Sequence, residues 1–255
     1  MAISKITANA LNSPLAGINV DGGTVKLDGN YPVGSNNVAL GDTALDSVTS
    51  GAANVAIGTN ALTANTTGDA NTALGEAALT SNVSGSFNTA LGREALKNNT
   101  ASQNTAVGND ALKFNTTGQN NTAVGYQSML DNTTGQENTA VGWKALENNT
   151  TGIENTAVGR ATLNGNTTGN YNTAFGRAAM ANGANTGASN TAIGHNSLLN
   201  NTASFNTAVG ATALQANTTG SSNTALGMAS LLTNETGGGN TAVGYASLYY
   251  NTASN

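Results

Sequence analysis

Residues 138–154 read NTAVGWKALENNTTGIE, and residues 155–171 read NTAVGRATLNGNTTGNY. Both units open with the motif Asn-(Thr/Val)-Ala-apolar-Gly. This motif occurs thirteen times in the chain, beginning at residues 37, 54, 71, 88, 104, 121, 138, 155, 172, 190, 206, 223 and 240. The period is 17, with two shorter units, which begin at 88 and 190, and one longer unit, which begins at 172. Internal repetition therefore decides the fold. A residue's repeat position is counted from the first asparagine of its unit.

A comparison of the copies shows what each repeat position tolerates. Position 3 is alanine and position 5 is glycine in all thirteen copies, and position 4 is always apolar. Position 9 is leucine in eleven copies and methionine in two, Met129 and Met180. The N-T-T-G segment that follows has the composition of a turn. Positions 6, 7, 10 and 16 vary freely.

The repeat length selects a β-solenoid. A unit of this size is too short for a pair of helices, which needs about 34 residues. It suits one coil with two short strands and two turns, so we predict an all-β fold, a parallel β-solenoid or β-roll of about thirteen coils. T-A-V-G is the first predicted strand, and A-L with its neighbours is the second. Strands stack at about 4.7–4.9 Å, which gives a rod roughly 60 Å long. The recurring asparagines at positions 1 and 12 have two interpretations. Their side-chain amides bond from coil to coil as ladders, or asparagine is simply tolerated in turns, and both can be true.

The apolar residues at positions 4 and 9 are the predicted core. Side chains alternate along a strand, so positions 2 and 4 share one face, and positions 3 and 5 share the other. Both faces accept only a few residue types. This implies that one face is covered by the interior of the coil and the other by something outside it. We therefore predict a homo-oligomer, with three chains favoured. The predicted core residues are Leu40, Ile57, Leu74, Leu91, Val107, Val124, Val141, Val158, Phe175, Ile193, Val209, Leu226 and Val243 at position 4, and Leu62, Leu79, Leu96, Leu112 and Leu146 at position 9.

Composition argues against several classes of function. The chain has 255 residues, no cysteine, 8% charged residues and a net charge of −5. Thiolate chemistry is excluded, and eight Lys and Arg residues form no basic stripe for nucleic acid. No stretch approaches the roughly 18 apolar residues of a membrane span, and the first residues lack the apolar centre of a signal peptide. We expect neither nucleic-acid binding nor membrane insertion.

We find no catalytic or metal-binding constellation in the sequence, and we expect a non-enzymatic protein without a cofactor. The one histidine, His195, occupies the variable position 6, where Arg160 and Ala211 stand in other copies. A catalytic triad would need partners that the repeat does not supply. The carboxylates are scattered, whereas calcium-binding β-roll repeats place aspartate at a fixed position in every turn.

Aromatic residues at variable positions are the candidate contact residues. Large exposed rings can stack on sugars or anchor a protein interface. The alternative is that they are partly buried at corners of the solenoid or between chains. They stand at position 6 or directly before the next unit: Tyr126, Trp143 and Tyr245, and Phe87, Tyr171 and Phe205.

Two resemblances bear on function. The segments 37–41 (NVALG) and 54–58 (NVAIG) resemble the S-V-A-I-G repeats in the head domains of trimeric autotransporter adhesins, although the period here is longer. This resemblance covers residues 37–255 and implies a left-handed parallel β-roll with three chains around one axis. Residues 21–34 (DGGTVKLDGNYPVG), followed directly by repeats, resemble the start of bacteriophage fibre and virion-appendage proteins.

These observations favour a virion appendage, a head or tail fibre that forms a rigid rod for structural extension and host-surface attachment. Residues 1–36 would then attach to virion proteins or cap the first coil, and residues 37–255 would form the rod. Possible partners are a glycan or a protein of the host surface. Two alternatives stay open: a bacterial cell-surface adhesin, and an ice-binding solenoid that uses the threonines at position 2.

Overall fold

Thirteen short strands form one sheet in the computed structural model, which describes residues 35–182, residues 186–251 and Ala253. All pairings are parallel and follow chain order from β1 to β13. The prediction for residues 1–36 therefore lies almost entirely outside the described residues. The strands are β1 Val38–Leu40, β2 Val55–Ile57, β3 Thr72–Leu74, β4 Thr89–Leu91, β5 Thr105–Val107, β6 Thr122–Val124, β7 Thr139–Val141, β8 Thr156–Val158, β9 Thr173–Phe175, β10 Thr191–Ile193, β11 Thr207–Val209, β12 Thr224–Leu226 and β13 Thr241–Val243.

The register pairs each repeat position with the same position in the next coil. Ala123 lies opposite Ala140, and Ala140 lies opposite Ala157. The shorter and longer units keep this register as well, because Ala192 pairs with Ala174 across the longer unit and with Ala208 across a shorter one. Changes in coil length are therefore absorbed outside the strands. The predicted parallel β-solenoid is confirmed, and twelve steps of about 4.8 Å give a sheet roughly 58 Å long.

The interior holds alanine at position 3 and leucine or methionine at position 9. The strands alternate as predicted, with the middle alanine buried and the residues at positions 2 and 4 on the outer face. The predicted core residues Leu62, Leu79, Leu96, Leu112 and Leu146 are fully buried. Seven further position-9 side chains join them: Leu45, Met129, Leu163, Met180, Leu198, Leu214 and Leu231.

The prediction that position 4 belongs to the core is wrong. Seven of its thirteen side chains are exposed, up to 64% at Val243, and none of the thirteen is buried. Because side chains alternate between the two faces of a strand, position 4 lies on the face opposite the buried alanine of position 3. The coil is narrow, so small alanines and one leucine or methionine fill its apolar interior. The outward residues are Leu40, Ile57, Leu74, Leu91, Val107, Val124, Val141, Val158, Phe175, Ile193, Val209, Leu226 and Val243.

The second predicted strand is a turn. Lys144 at position 7 and Leu146 at position 9 have φ values of 53° and 54°, in the left-handed region, and the other coils repeat this pattern. A left-handed leucine costs about 1–2 kcal/mol, which its burial, worth about 1.5–3 kcal/mol, offsets. The turn still bonds between coils, because Leu146 N donates to Thr162 O at 2.9 Å.

Glycine at position 5 forms the corner directly after each strand. Gly142 has φ +138°, and a Cβ atom there would lie 2.4 Å from the carbonyl oxygen of Gly159 in the next coil. A left-handed φ and a backbone-to-backbone contact together exclude any side chain. This explains why position 5 is glycine in all thirteen copies.

Asparagine ladders run along the rod at positions 1 and 12. Asn138 N donates to Asn121 Oδ1 at 3.0 Å, and Asn138 Nδ2 donates to Gly152 O at 2.8 Å. Asn149 Nδ2 donates to Asn132 Oδ1 at 2.7 Å and to Gly152 O at 3.0 Å. These side chains are fully buried, where an unpaired amide would be costly. The ladder interpretation of the recurring asparagines is confirmed.

Candidate interaction surfaces

The outer face of the sheet is a strip with two columns of side chains. The threonine column consists of position 2 of β3 to β13, with valines in β1 and β2, and the aliphatic column consists of position 4. Within a column, neighbours are about 4.8 Å apart, and the columns lie about 6.6 Å apart. The strands are in register throughout, so both columns are regular. The strip carries no charged residue.

A second surface begins just beyond the glycine corner, at position 6. The backbone carbonyl of Tyr126 accepts from Lys144 N at 3.0 Å, and that of Trp143 accepts from Ala161 N at 2.8 Å. The same bond recurs at Arg160, Arg177 and His195 with distances of 2.9–3.1 Å. Residues at position 6 therefore stack coil on coil. We call Tyr126, Trp143, Arg160, Arg177 and His195, which occupy five successive coils, the position-6 column.

Trp143 is the centre of this column. Arg160 Cζ lies 4.7 Å from the centroid of the Trp143 ring, and Lys144 Nζ lies 5.2 Å from it. Such distances favour attraction between a cation and the ring face. Lys144 also pairs with Glu147 at 2.7 Å. Trp143 is 42% exposed and Tyr126 is 44% exposed, so both rings are open to a ligand.

The column ends in a contact between Arg177 and His195. Arg177 Nη1 lies 3.0 Å from His195 Nε2. A guanidinium has no acceptor, so the arginine donates and the histidine nitrogen accepts. Both side chains are exposed. His195, which the sequence analysis considered only as a catalytic candidate, thus supports an arginine.

The other three cations of the described residues, Arg93, Lys97 and Lys113, belong to a separate cluster in the coils that begin at residues 71, 88 and 104. Lys113 and Lys97 approach the carboxylate of Glu94, Lys97 at 2.9 Å, and Arg93 lies 3.5 Å from both Glu76 and Glu94. The hydrogen bonds from Lys113 and then Lys97 lower the pKa of Glu94 from 4.5 to about 2. The bond to Glu94 in turn raises the pKa of Lys113. These cations are neutralised within the protein.

The predicted aromatic contact residues are exposed but do not form one site. Phe87, Tyr171 and Phe205 precede their strands, whereas Tyr126 and Trp143 follow theirs, so the two groups border opposite edges of the strip. Tyr245 lies six coils beyond Trp143 and is 75% exposed. Only Tyr126 and Trp143 are neighbours. Sequence reasoning missed Arg160 and Arg177, although their shared repeat position with Trp143 was the signal for them.

No group of three or more His, Cys, Asp or Glu side chains is arranged to hold a metal ion within the described residues. That part of the chain also contains no helix with the length and apolar character to cross a membrane. The expectation of a non-enzymatic, cofactor-free protein stays a prediction. No protein-family model matches the chain, and no curated protein matches it significantly. Functional inference therefore depends on the strip and on the position-6 column.

Proposed function

We propose that the protein is a non-enzymatic rod of a virion appendage, whose chains associate through the outer strip of the sheet. The observation that carries this proposal is the aliphatic column. Its residues are exposed or half-buried in a single chain, yet position 4 is apolar in all thirteen copies. Other outward positions, such as 6 and 16, accept polar and charged residues. An exposed column that never becomes polar is typical of a surface covered by a partner.

The size of the strip suits a second copy of the chain. Thirteen strands, about 4.8 Å apart and about 10 Å wide, form a face of roughly 600 Å². Two such faces in contact would bury about 1,200 Å², at the lower end of stable specific interfaces. The strip is uncharged, so two copies of the chain can pack strip to strip without electrostatic repulsion. Three chains around one axis, the arrangement implied by the resemblance to trimeric adhesin heads, would let each column pack against two neighbours.

Placement on a virion rests on the resemblance of residues 21–34 to phage fibre proteins. In this proposal residues 1–36 attach the rod to virion proteins, and the solenoid extends into the medium to contact the host surface. The same rod on a bacterial cell surface is the alternative location. Purified virions probed with an antibody against the rod distinguish the two, since an adhesin would label host cells instead.

The test of association is the mass of the purified chain by light scattering. We expect about three times 25.2 kDa. The double variant Val124→Asp/Val141→Asp places two charges in the aliphatic column and should give a monomer. The matched control is Gln119→Asp/Gln136→Asp, two exposed position-16 residues in neighbouring coils, and it should keep the mass of the unmodified protein. A monomeric unmodified chain contradicts the proposal.

Ice binding is the second candidate, because the strip is a long, regular strand array with a threonine column and an aliphatic column. Both columns repeat at the coil spacing, and their side chains are half-buried or exposed in a single chain. The strip has one threonine column, whereas paired columns would make a broader polar lattice. A monomer that shows thermal hysteresis, which Val124→Asp/Val141→Asp abolishes, would establish this function in place of the first.

A further inference from the structure

We propose that the position-6 column, Tyr126 to His195, binds a linear acidic glycan whose carboxylates lie on Arg160 and Arg177. This inference rests on the proposed attachment to a host surface and names the chemistry that the rod recognises there. Five exposed side chains in successive coils span about 19 Å along the rod. That length accommodates several sugar units of an extended chain that runs parallel to the rod axis.

The first support is an uncompensated positive charge. Six Lys and Arg residues lie in the described part of the chain, and four of them pair with a carboxylate: Arg93, Lys97, Lys113 and Lys144. Arg160 and Arg177 make no ion pair there. Arg160 contacts the Trp143 ring, and Arg177 contacts His195 Nε2. Two neighbouring arginines without a carboxylate in a chain of net charge −5 are available for an external anion.

The local sequence keeps acids away from these arginines. In the six coils that begin at residues 121 to 206, positions 6 and 7 contain Lys144, Arg160 and Arg177, and neither position contains Asp or Glu. The nearest carboxylate along the same coil as Lys144, that of Glu147, is held by Lys144 and by Asn164 Nδ2 at 2.8 Å. Lys144, Arg160 and Arg177 therefore form a row of three cations in successive coils, about 10 Å long, on an acidic rod.

The second support is the combination of a planar cation with aromatic rings. Arg160 lies against the Trp143 ring, with Cζ 4.7 Å from the ring centroid, and an exposed guanidinium can bind a carboxylate in the bidentate geometry that arginine favours. Tyr126 and the free part of Trp143 offer flat apolar surfaces to the C–H face of a sugar ring. Alternating carboxylate and C–H surfaces are the chemistry of a polyuronate.

Nucleic acid fits this surface less well. Three cations are too few to neutralise a phosphate on every nucleotide along the site, and the surrounding rod is acidic, so the chain would repel a polyanion of that charge density. A sugar chain with one carboxylate per unit has a lower charge density and matches two arginines in neighbouring coils. The proposal therefore commits to a glycan.

The test is isothermal titration of the full chain with a hexamer of galacturonic acid. We expect binding that weakens with added salt, and no binding of the methyl-esterified hexamer, in which the carboxylates are neutral. Galacturonic acid alone should bind at least tenfold more weakly than the hexamer. Equal binding of the charged and neutral hexamers, equal binding of monomer and hexamer, or no binding overturns the proposal.

Variants localise the site. Arg160→Gln/Arg177→Gln should lower the affinity at least tenfold, and Trp143→Ala at least fivefold. Arg93→Gln removes a cation from the compensated cluster and should leave the affinity unchanged. An equal loss in Arg93→Gln would mean that only net charge matters, which contradicts the site. Light scattering on the same samples separates the two proposals. Trimers that do not bind overturn the glycan site alone, and monomers that bind overturn the association alone.

Discussion

The inner leucine column and the outer aliphatic column obey the same restriction and occupy opposite environments. Leu146 at position 9 is fully buried, whereas Val141, at position 4 of the same coil, is 37% exposed. Both positions are apolar in every copy. A repeat position that accepts only apolar residues therefore indicates that its side chain contacts another surface, whether inside or outside the coil. Contact within the coil explains position 9, and contact with another surface is our explanation for position 4.

The largest expected effect separates these two columns directly. Leu146→Ala leaves a cavity in a coil whose interior has no other large side chain, and we expect a loss of about 2–5 kcal/mol in the free energy of unfolding. Val141→Ala, measured by urea unfolding at a concentration where the chain is monomeric, should cost less than about 1 kcal/mol. Equal losses would contradict the assignment of inside and outside.

A smaller effect comes from the buried polar ladder beneath the same coils. Asn149→Ala removes the donor to Asn132 Oδ1 and the acceptor for Asn166 Nδ2, whereas Gly152 O keeps its bond from Asn138 Nδ2. Buried polar groups that lose their partner cost about 1–3 kcal/mol. The neighbouring Asn148 is half-buried and bonds the next coil through its backbone, Asn148 N to Asn164 O. Asn148→Ala should therefore change the unfolding free energy by less than about 0.5 kcal/mol. A similar cost for both variants would contradict a stabilising role of the buried asparagine ladder.

The smallest effect concerns the outer charges. The folded-state pKa of Glu94 is about 2, below its ordinary value of 4.5. The ionised carboxylate therefore stabilises the fold above about pH 4.5, and this contribution is lost as the pH falls toward 2. Part of the cluster is open to solvent, so the effect is well below that of Leu146→Ala.

Chemical unfolding of the unmodified protein and of Glu94→Gln between pH 7 and pH 2 measures this contribution. The stability difference between them should be largest at neutral pH and should shrink below pH 4.5. The matched control is Glu76→Gln, because Glu76 is more exposed and pairs with Arg93 at 3.5 Å. An unchanged difference across the whole range would contradict the role of the Lys113 and Lys97 hydrogen bonds.

The period of the repeat and its turn composition were sufficient to predict a parallel solenoid, with asparagine ladders as one of two interpretations of the recurring asparagines. The inward face was not predictable in the same way. Alternation separates Ala140 from Val141 but does not say which one faces inward, and the larger apolar residue was the natural but incorrect choice. The decision depends on the width of the coil. That width is set by left-handed residues such as Lys144 and Leu146, which no side-chain pattern reveals.

The candidate site was predictable in part, for a related reason. Tyr126 and Trp143 were identified as exposed rings at a variable position, and both are exposed. Arg160 and Arg177 were not identified as candidates, because a whole repeat unit separates one from the other along the chain. In a solenoid that separation is one coil, so side chains remote in sequence become direct neighbours.

Because the strand register is the same across shorter and longer repeat units, the number of coils sets the length of the rod. Each coil meets mainly the coils above and below it, so duplication or loss of one unit changes the length by about 4.8 Å and disturbs nothing else. The length of the rod can then change by gain or loss of whole repeat units in the gene. A lineage that carries such a gene could adjust how far the rod extends without inventing a new fold.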